Sequence, residues 1–184
     1  MTTELTEMNV QKTVATLKSS LYPGAADASV RMVLDYCQAR KLDPFLKPVH
    51  IVPMWDSKAK EMRDVIMPGL NLYRTQAAES GKLAGIGEPV FGPMLEFKLG
   101  AATIQAPEFC KVTVKRLLSS GAIADFTAIE FFSEAVSTDK NGNPTPMWKK
   151  RPRGMLAKTA ESQALRKAFP DIGAAETAEE MEGK

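Results

Sequence analysis

The chain has 184 residues and a formal net charge of +2, with 24 Lys and Arg against 22 Asp and Glu. Its 44% hydrophobic and 25% charged residues are typical of a globular protein, long enough for one core and one domain. No apolar run approaches the ~20 residues of a membrane span, which excludes an integral membrane protein. Because there is no basic and apolar leader and the two cysteines are far apart, we expect a reducing, cytoplasmic setting.

The small net charge conceals an uneven distribution along the chain. Residues 1–97 hold 11 bases and 11 acids, residues 98–167 hold 12 bases and 6 acids, and residues 168–184 hold one base and 5 acids. The local net charges are therefore 0, +6 and −4. A basic second half indicates a polyanionic partner, and the acidic tail is a competitor for the same surface.

The first half of the chain predicts a helix, a hairpin and a second helix. Apolar residues recur at helical spacing from about Ala28 to Arg40, with Asp27 as N-cap and Pro44 beyond the end. Two short apolar runs, Val49–Trp55 and Met62–Met67, flank a polar stretch and predict a β-hairpin. The second helix covers about 70–79, and Gly81 ends it.

The second half of the chain is dominated by strand patterns. Four strands are predicted, at Lys82–Phe91, Leu95–Leu99, Phe109–Leu117 and Phe126–Ser133. The third alternates an apolar face with a mixed, basic face. Residues 139–146 form a turn-rich loop, and a last helix runs from about Gly154 to Phe169. The order predicts an α+β fold with a mainly antiparallel sheet, a β-hairpin and packed helices.

Groups suited to catalysis are scarce. His50 is the only histidine and lies in an apolar strand run, so it is interpreted as a packed or surface strand residue. Residues 80–82 (Ser-Gly-Lys) and 85–87 (Gly-Ile-Gly) fail the phosphate-loop and dinucleotide motifs. The carboxylates are scattered, although folding can bring a pair together. We therefore expect no enzyme, no catalytic residue, no metal site and no cofactor.

Four bases in five positions follow Trp148, and they are Lys149, Lys150, Arg151 and Arg153. Most charge runs are solvated loops, which is the alternative interpretation. On the following helix, Lys158, Ser162 and Arg166 fall at i, i+4 and i+8 and form one polar stripe. Such a line can follow a phosphate backbone. An opposite wall is predicted from three bases of the basic strand, with an ordinary exposed face as the alternative: Lys111, Lys115 and Arg116.

Aromatic residues are few, and residues 149–168 contain none. Proteins that sequester single strands usually stack bases on aromatic side chains. A protein that grips phosphates leaves the base edges free to pair. The composition therefore favours annealing over protection, and Tyr73 or Trp148 are the candidates for stacking if protection is the function.

Three segments in order resemble the phage RecT/Bet (Red-beta-like) single-strand annealing family. The first is Cys37-Gln38-Ala39-Arg40-Lys41-Leu42-Asp43-Pro44-Phe45, which leads into the hairpin. The second is Gly69-Leu70-Asn71-Leu72-Tyr73-Arg74. The third is Trp148 to Phe169, which ends in Gln163-Ala164-Leu165-Arg166-Lys167-Ala168-Phe169. The matches keep their order and spacing from about residue 30 to 175, a span that covers most of the chain.

The resemblance implies ATP-independent binding of single-stranded DNA and annealing of complementary strands in phage recombination. It also implies a homo-oligomer, a ring or a helical filament, that holds single strands and annealed duplex in a basic groove in the bacterial cytoplasm. Longer members carry a C-terminal domain that recruits exonuclease or single-strand-binding protein. The chain is accordingly divided into a partly flexible segment 1–27, a DNA-binding core 28–170 and an acidic tail 171–184.

The predicted DNA-binding residues combine the residue patterns with positions carried over from the family. They are Lys111, Lys115, Arg116, Lys149, Lys150, Arg151, Arg153, Lys158, Ser162, Arg166, Tyr73, Arg74 and Trp148. Two other functions stay open. One is a module that protects single strands without annealing them, and the other is an adaptor whose basic run binds an acidic protein.

Overall fold

The structure, a computed structural model, describes residues 2–173 and 177–181. The chain divides into two compact units, residues 1–69 and residues 70–184. Helices and antiparallel strands are present in both units, which confirms the predicted α+β class. Among the described residues, no helix has the length and apolar character needed to cross a membrane.

The first unit consists of two helices and a hairpin. Its elements are α1 (Thr2–Ser20), α2 (Asp27–Ala39), a 3-10 turn (Pro44–Leu46), β1 (Val49–Asp56) and β2 (Glu61–Pro68). The predicted hairpin is confirmed, since β1 and β2 pair antiparallel from Val49 opposite Pro68 to Asp56 opposite Glu61. Helix α2 is also confirmed to within one residue at each end.

Helix α1 is missing from the sequence prediction, which starts the ordered elements at Ala28. Its buried side chains include Val14 and Leu17, too sparse a set to give a clear amphipathic stripe. The helix is stabilised by packing on α2, which the sequence does not display. Asp27 as the N-cap of α2 is wrong, because its carboxylate pairs with Lys18 at 2.5 Å and Ala26 occupies the cap position.

The second unit holds a main sheet, a separate hairpin and five helices among the residues described. Its first elements are α3 (Leu70–Glu79), β3 (Leu83–Ile86), β4 (Val90–Phe91), β5 (Met94–Leu99) and β6 (Ala102–Pro107). The remaining ones are β7 (Phe109–Leu117), β8 (Ile123–Phe131), α4 (Phe132–Ala135), α5 (Pro146–Lys150), α6 (Pro152–Ala168) and α7 (Ala178–Met181). Strand β7 is central, because β3, β4 and β8 all pair with it antiparallel.

Several boundaries in this unit differ from the prediction. The single strand predicted at Lys82–Phe91 is two strands, and Pro89 between them has no N–H to donate to a ladder. Strand β6 escaped prediction because its Ala-Thr-Ile-Gln-Ala-Pro sequence has little apolar contrast. It pairs with β5 instead of joining the main sheet. Helix α5 is not among the predicted elements; it begins at Pro146, the last residue of the predicted loop, and proline at the first position is compatible with helix.

Helix α6 lies across one face of the main sheet, here called the inner face. Cys110, Val112 and Val114 of β7 are buried on this face, together with Leu156 and Ala160 of α6. Alanines on the helix permit close approach to the sheet, and burial of these apolar side chains is the main stabilising contribution to the unit. The predicted alternation of β7 is confirmed. The opposite side of the sheet is called the outer face.

The buried thiol of Cys110 gives the unit a measurable alkaline sensitivity. Burial raises the pKa of Cys110 from 9.0 to about 11. The unfolded chain therefore loses this proton first, so the contribution of Cys110 to the free energy of unfolding is constant below about pH 9 and is lost as the pH rises to about 11. We expect urea denaturation of Cys110→Ala to show a flatter decline over this range than the parent. An equal decline in both proteins would contradict the assignment. Burial also raises the pKa of Tyr22, from 10.0 to about 12, so the loss of its stabilising contribution extends to higher pH.

Candidate nucleic-acid interface

Five exposed cations gather around the start of α6. They are called the basic cluster: Lys149, Lys150, Arg151, Arg153 and Lys158. Within residues 2–173 and 177–181, none of the five has an acidic partner at ion-pair distance. Their charges are therefore not neutralised locally, and the cluster is an electropositive surface on the helix side of the sheet.

Buried neighbours fix the backbone that carries the basic cluster. Trp148, immediately before the first lysine, is fully buried, and its ring meets Phe132 edge-on at 5.8 Å between centroids. Met155 and Leu156, just after the last arginine of the run, are buried in the same core. Apolar anchors on both sides hold this stretch against the unit, so the cations point away from it on a rigid support.

The N-terminal end of α6 adds to the positive potential. Arg151 occupies the N-cap position, and its guanidinium has no acceptor with which to cap the helix N–H groups. Those N–H groups carry the positive end of the helix dipole. The guanidinium of Arg153 lies 5.7 Å from the ring centre of Phe91 in β4, which restricts its motion at the edge of the sheet. Helix end and side chains together favour an anion such as phosphate.

A metal centre would require several ligating side chains close together among the described residues. No group of three His, Cys, Asp or Glu side chains is placed to hold a metal ion there. His50 lies half-buried in β1, in the first unit. What the basic cluster can do chemically is bind a polyanion through hydrogen bonds and charge.

Comparison with known families shows which family the chain resembles. The sequence profile of the RecT family matches residues 7–184, nearly the whole chain. The chain belongs to the RecT family. The resemblance stated from the three motifs is thereby confirmed. No curated protein matches the chain. RecT family membership implies single-strand annealing in recombination.

Two cations predicted to share a groove with the basic cluster lie on the other side of the sheet. Lys111 and Lys115 are exposed on the outer face, because they alternate along β7 with Cys110, Val112 and Val114 on the inner face. The prediction that they form the opposite wall of one groove with α6 is therefore wrong within a single subunit. Lys115 is also 3.6 Å from a carboxylate oxygen of Asp125.

Arg116, the third predicted wall residue, faces the inner side and supports α6 instead. Its guanidinium donates to the carbonyl oxygen of Ala168 at the C-terminal end of the helix and lies 4.9 Å from the ring centre of Phe169. Asp171 is 3.8 Å away. A cation at this position satisfies a terminal carbonyl and complements the helix dipole. Arg116 therefore caps the C-terminal end of α6, and its guanidinium is held there instead of being open for contact with a phosphate.

Three other predicted site residues are buried. Trp148 and Ser162 have no exposed surface, and Tyr73 is 2% exposed. The expectation that the two aromatic side chains stack on bases is contradicted, because their rings belong to the core. The polar stripe of α6 is interrupted, since Lys158 is exposed and Arg166 half-buried while Ser162 between them is covered. Sequence spacing alone does not reveal what covers a helix face.

Arg74 is held by an acidic partner. Its Nε and Nη2 atoms donate to the two carboxylate oxygens of Glu161 at 2.6 and 2.7 Å, and its Nη1 donates to Asn71 at 3.1 Å. This bidentate pair joins α3 to α6. The guanidinium is thereby used inside the unit, and a phosphate would have to displace Glu161 to bind it.

We expect Arg74→Met to destabilise the protein without weakening DNA binding. The substitution leaves Glu161 mostly buried and without this partner, which costs about 1–2 kcal/mol, less than for a fully buried pair because Arg74 is 46% exposed. Urea denaturation gives the free energy of unfolding, and fluorescence anisotropy with a labelled oligonucleotide gives the affinity. A fall in affinity for the oligonucleotide at unchanged stability would show that Arg74 contacts DNA.

Other features of the unit have weak or no signals in the sequence. Lys167 donates from Nζ to the carbonyl oxygen of Thr127 at 3.0 Å and ties the end of α6 to β8. On the outer face, the rings of Phe109 and Phe131 meet at 6.1 Å, and Phe131 is 42% exposed. The pairing of these two strands brings the rings together, which only the register determines.

Proposed function

We propose that the chain binds single-stranded DNA through the basic cluster and anneals complementary strands without ATP. The observation that carries the proposal is the placement of five exposed cations, with no acidic partner among the described residues, on a rigid helix–helix junction in a RecT-family chain. Lysine and arginine side chains bind phosphates irrespective of base sequence. A strand held by its phosphates keeps its base edges available for a second strand.

Annealing of this kind needs no catalytic group. Pairing and stacking of the two strands release the free energy, so the protein has only to hold one strand extended and accept the other. We therefore propose that the chain is not an enzyme and requires no cofactor. A duplex intermediate presents a second row of phosphates, which favours retention of a correctly paired strand.

The proposal includes an assembly. In a ring or helical filament of identical subunits, the basic clusters of neighbours form one continuous groove for a long strand, as members of the RecT family imply. The setting proposed is the bacterial cytoplasm during phage recombination, and exonuclease or single-strand-binding protein are the proposed protein partners. Each subunit then supplies a short segment of the path.

An annealing assay tests the proposal directly. Complementary oligonucleotides carrying a fluorophore and a quencher are mixed with the protein in the absence of nucleotide, and loss of fluorescence reports pairing. We expect pairing to be much faster than for DNA alone, and gel analysis to show intact strands. Protein that binds single strands but slows pairing would indicate protection, and protein without affinity for oligonucleotides would indicate an adaptor.

Binding should weaken steeply with salt. Log affinity for a single strand falls by roughly 0.7 per neutralised phosphate for each unit of log salt concentration, so five contacts give a slope of about −3.5. Anisotropy titrations over a range of NaCl concentrations measure this slope. Affinity that does not change with salt would contradict the phosphate-binding model.

The outer face favours a second candidate function. The exposed ring of Phe131 beside Phe109, with Lys111 on the same side of the sheet, has the composition of a surface that stacks bases and contacts phosphates. Protection of single strands would use this face. Phe131→Leu separates the two functions, because it weakens binding only if bases stack there.

A further inference from the structure

The middle of α6 is covered by the segment that follows it. Ser162 and Thr177 are both fully buried, and their hydroxyl oxygens lie 3.2 Å apart in a hydrogen bond. Ala178, the first residue of α7, is 7% exposed. Helix α7 therefore packs on α6 at the point where the sequence predicts an exposed hydroxyl.

This contact places acidic sequence beside cationic sequence. Ser162 lies one helical turn from both Lys158 and Arg166 on the same side of α6. Residues 171–184 carry five acids and one base, and Glu179 and Glu180 follow Thr177 by two and three residues. Docking of Thr177 therefore tethers these two acidic residues to the stripe, at most three positions along the chain.

The attachment is of a kind that opens easily. Helix α7 has only four residues, far below the length at which a helix is stable alone, so it depends on its contacts with α6. The hydrogen bond between Ser162 and Thr177 is uncharged, and water replaces such a bond when the segment leaves. Short terminal segments of this type open at low free-energy cost.

We infer that Thr177–Met181 is a displaceable cover that lies on the polar stripe of α6 and competes with the DNA backbone for it. This inference rests on the proposed function. When the segment leaves, Lys158, Ser162 and Arg166 form one continuous line that extends the path from the basic cluster. The exposed polar stripe predicted from the sequence then corresponds to the open state of the protein, and the structure shows the state in which the segment covers Ser162.

A reversible cross-link tests the cover. Because the side chains of Ser162 and Thr177 point at each other, Ser162→Cys with Thr177→Cys permits a disulfide that locks the segment down. The native thiols of Cys37 and Cys110 are fully buried and do not compete. We expect the reduced double variant to bind single-stranded DNA at least about fivefold more tightly than the oxidised one. Its salt slope should be steeper by about 0.7, because Arg166 then neutralises one further phosphate.

A charge variant gives a second, independent measurement. Glu179→Gln with Glu180→Gln in the full chain should raise affinity at low salt, and the gain should disappear at high salt as screening removes the competition. The single variants Ser162→Cys and Thr177→Cys are the controls, with affinities insensitive to oxidation.

The outcomes separate the cover from the function it rests on. Wild-type protein that binds DNA, together with equal affinity of the oxidised and reduced forms and no gain in the charge variant, overturns the cover alone. Failure of the wild-type protein to bind single-stranded DNA overturns the proposed function and the cover with it.

Discussion

Replacing Arg151 and Arg153 by alanine together should weaken binding of single-stranded DNA by on the order of 100-fold at low salt. Each guanidinium forms charge-assisted hydrogen bonds to phosphate, and such a bond contributes about 1.5–3 kcal/mol. Both side chains are exposed at the start of α6, next to the positive end of its dipole. Anisotropy titration with several oligonucleotide sequences measures the effect, which should be alike for all of them. The salt slope should fall by roughly 1.4.

Two matched variants show whether position or total charge is responsible. Lys98→Ala with Lys140→Ala removes the same charge from exposed sites of the same unit outside the basic cluster. Lys111→Ala with Lys115→Ala removes it from the outer face. We expect both to reduce affinity far less than the arginine variant. An equal loss in all three would show that only net charge matters, and a loss confined to one base sequence would exclude phosphate contacts.

The opposite placement of the two basic sets changes the geometry of the proposed groove. A single subunit presents the basic cluster on one side of the sheet and Lys111 and Lys115 on the other. One strand cannot contact both sets across the core of the same subunit. If both sets bind DNA, they bind different strands or different segments of one strand.

Elements with a strong local pattern were predictable from the sequence. The hairpin of β1 and β2 follows from two apolar runs around a polar turn, and β7 follows from strict alternation. Helix α6 follows from its alanine-rich apolar side, and α3 ends as predicted, where Gly81 adopts a positive φ of 66°. In each case the residues that determine the element are adjacent in the sequence.

The fate of individual site residues was not predictable, because it depends on distant contacts. The alternation of β7 predicts that Arg116 faces the inner side of the sheet. The sequence does not show that the end of α6 lies beside it. Arg74 finds Glu161 across 87 positions of sequence. Ser162 is polar and correctly spaced for an exposed stripe, yet a segment that follows α6 covers it. Charge and spacing therefore located the basic cluster, while packing decided which neighbouring polar side chains are open.

Trp148→Ala should lower the free energy of unfolding by about 3–5 kcal/mol, the largest stability loss expected for a single substitution here. The indole is fully buried between Phe132 and the residues of α6, and its removal leaves a large cavity. Its backbone leads directly into the basic cluster, so the cavity also loosens the support of those cations. Chemical denaturation measures the loss.

Trp148→Phe distinguishes this structural role from base stacking. The Nε1 of Trp148 has no hydrogen-bond partner among the described residues, so phenylalanine removes only volume and should cost less than alanine. At a temperature where it is folded, this variant should retain wild-type affinity for single strands. In a Trp55→Phe background, Trp148 is the remaining tryptophan, and its emission should resist acrylamide and stay unchanged when DNA is added. Quenching of that emission by DNA in a stable protein would show that the indole contacts bases.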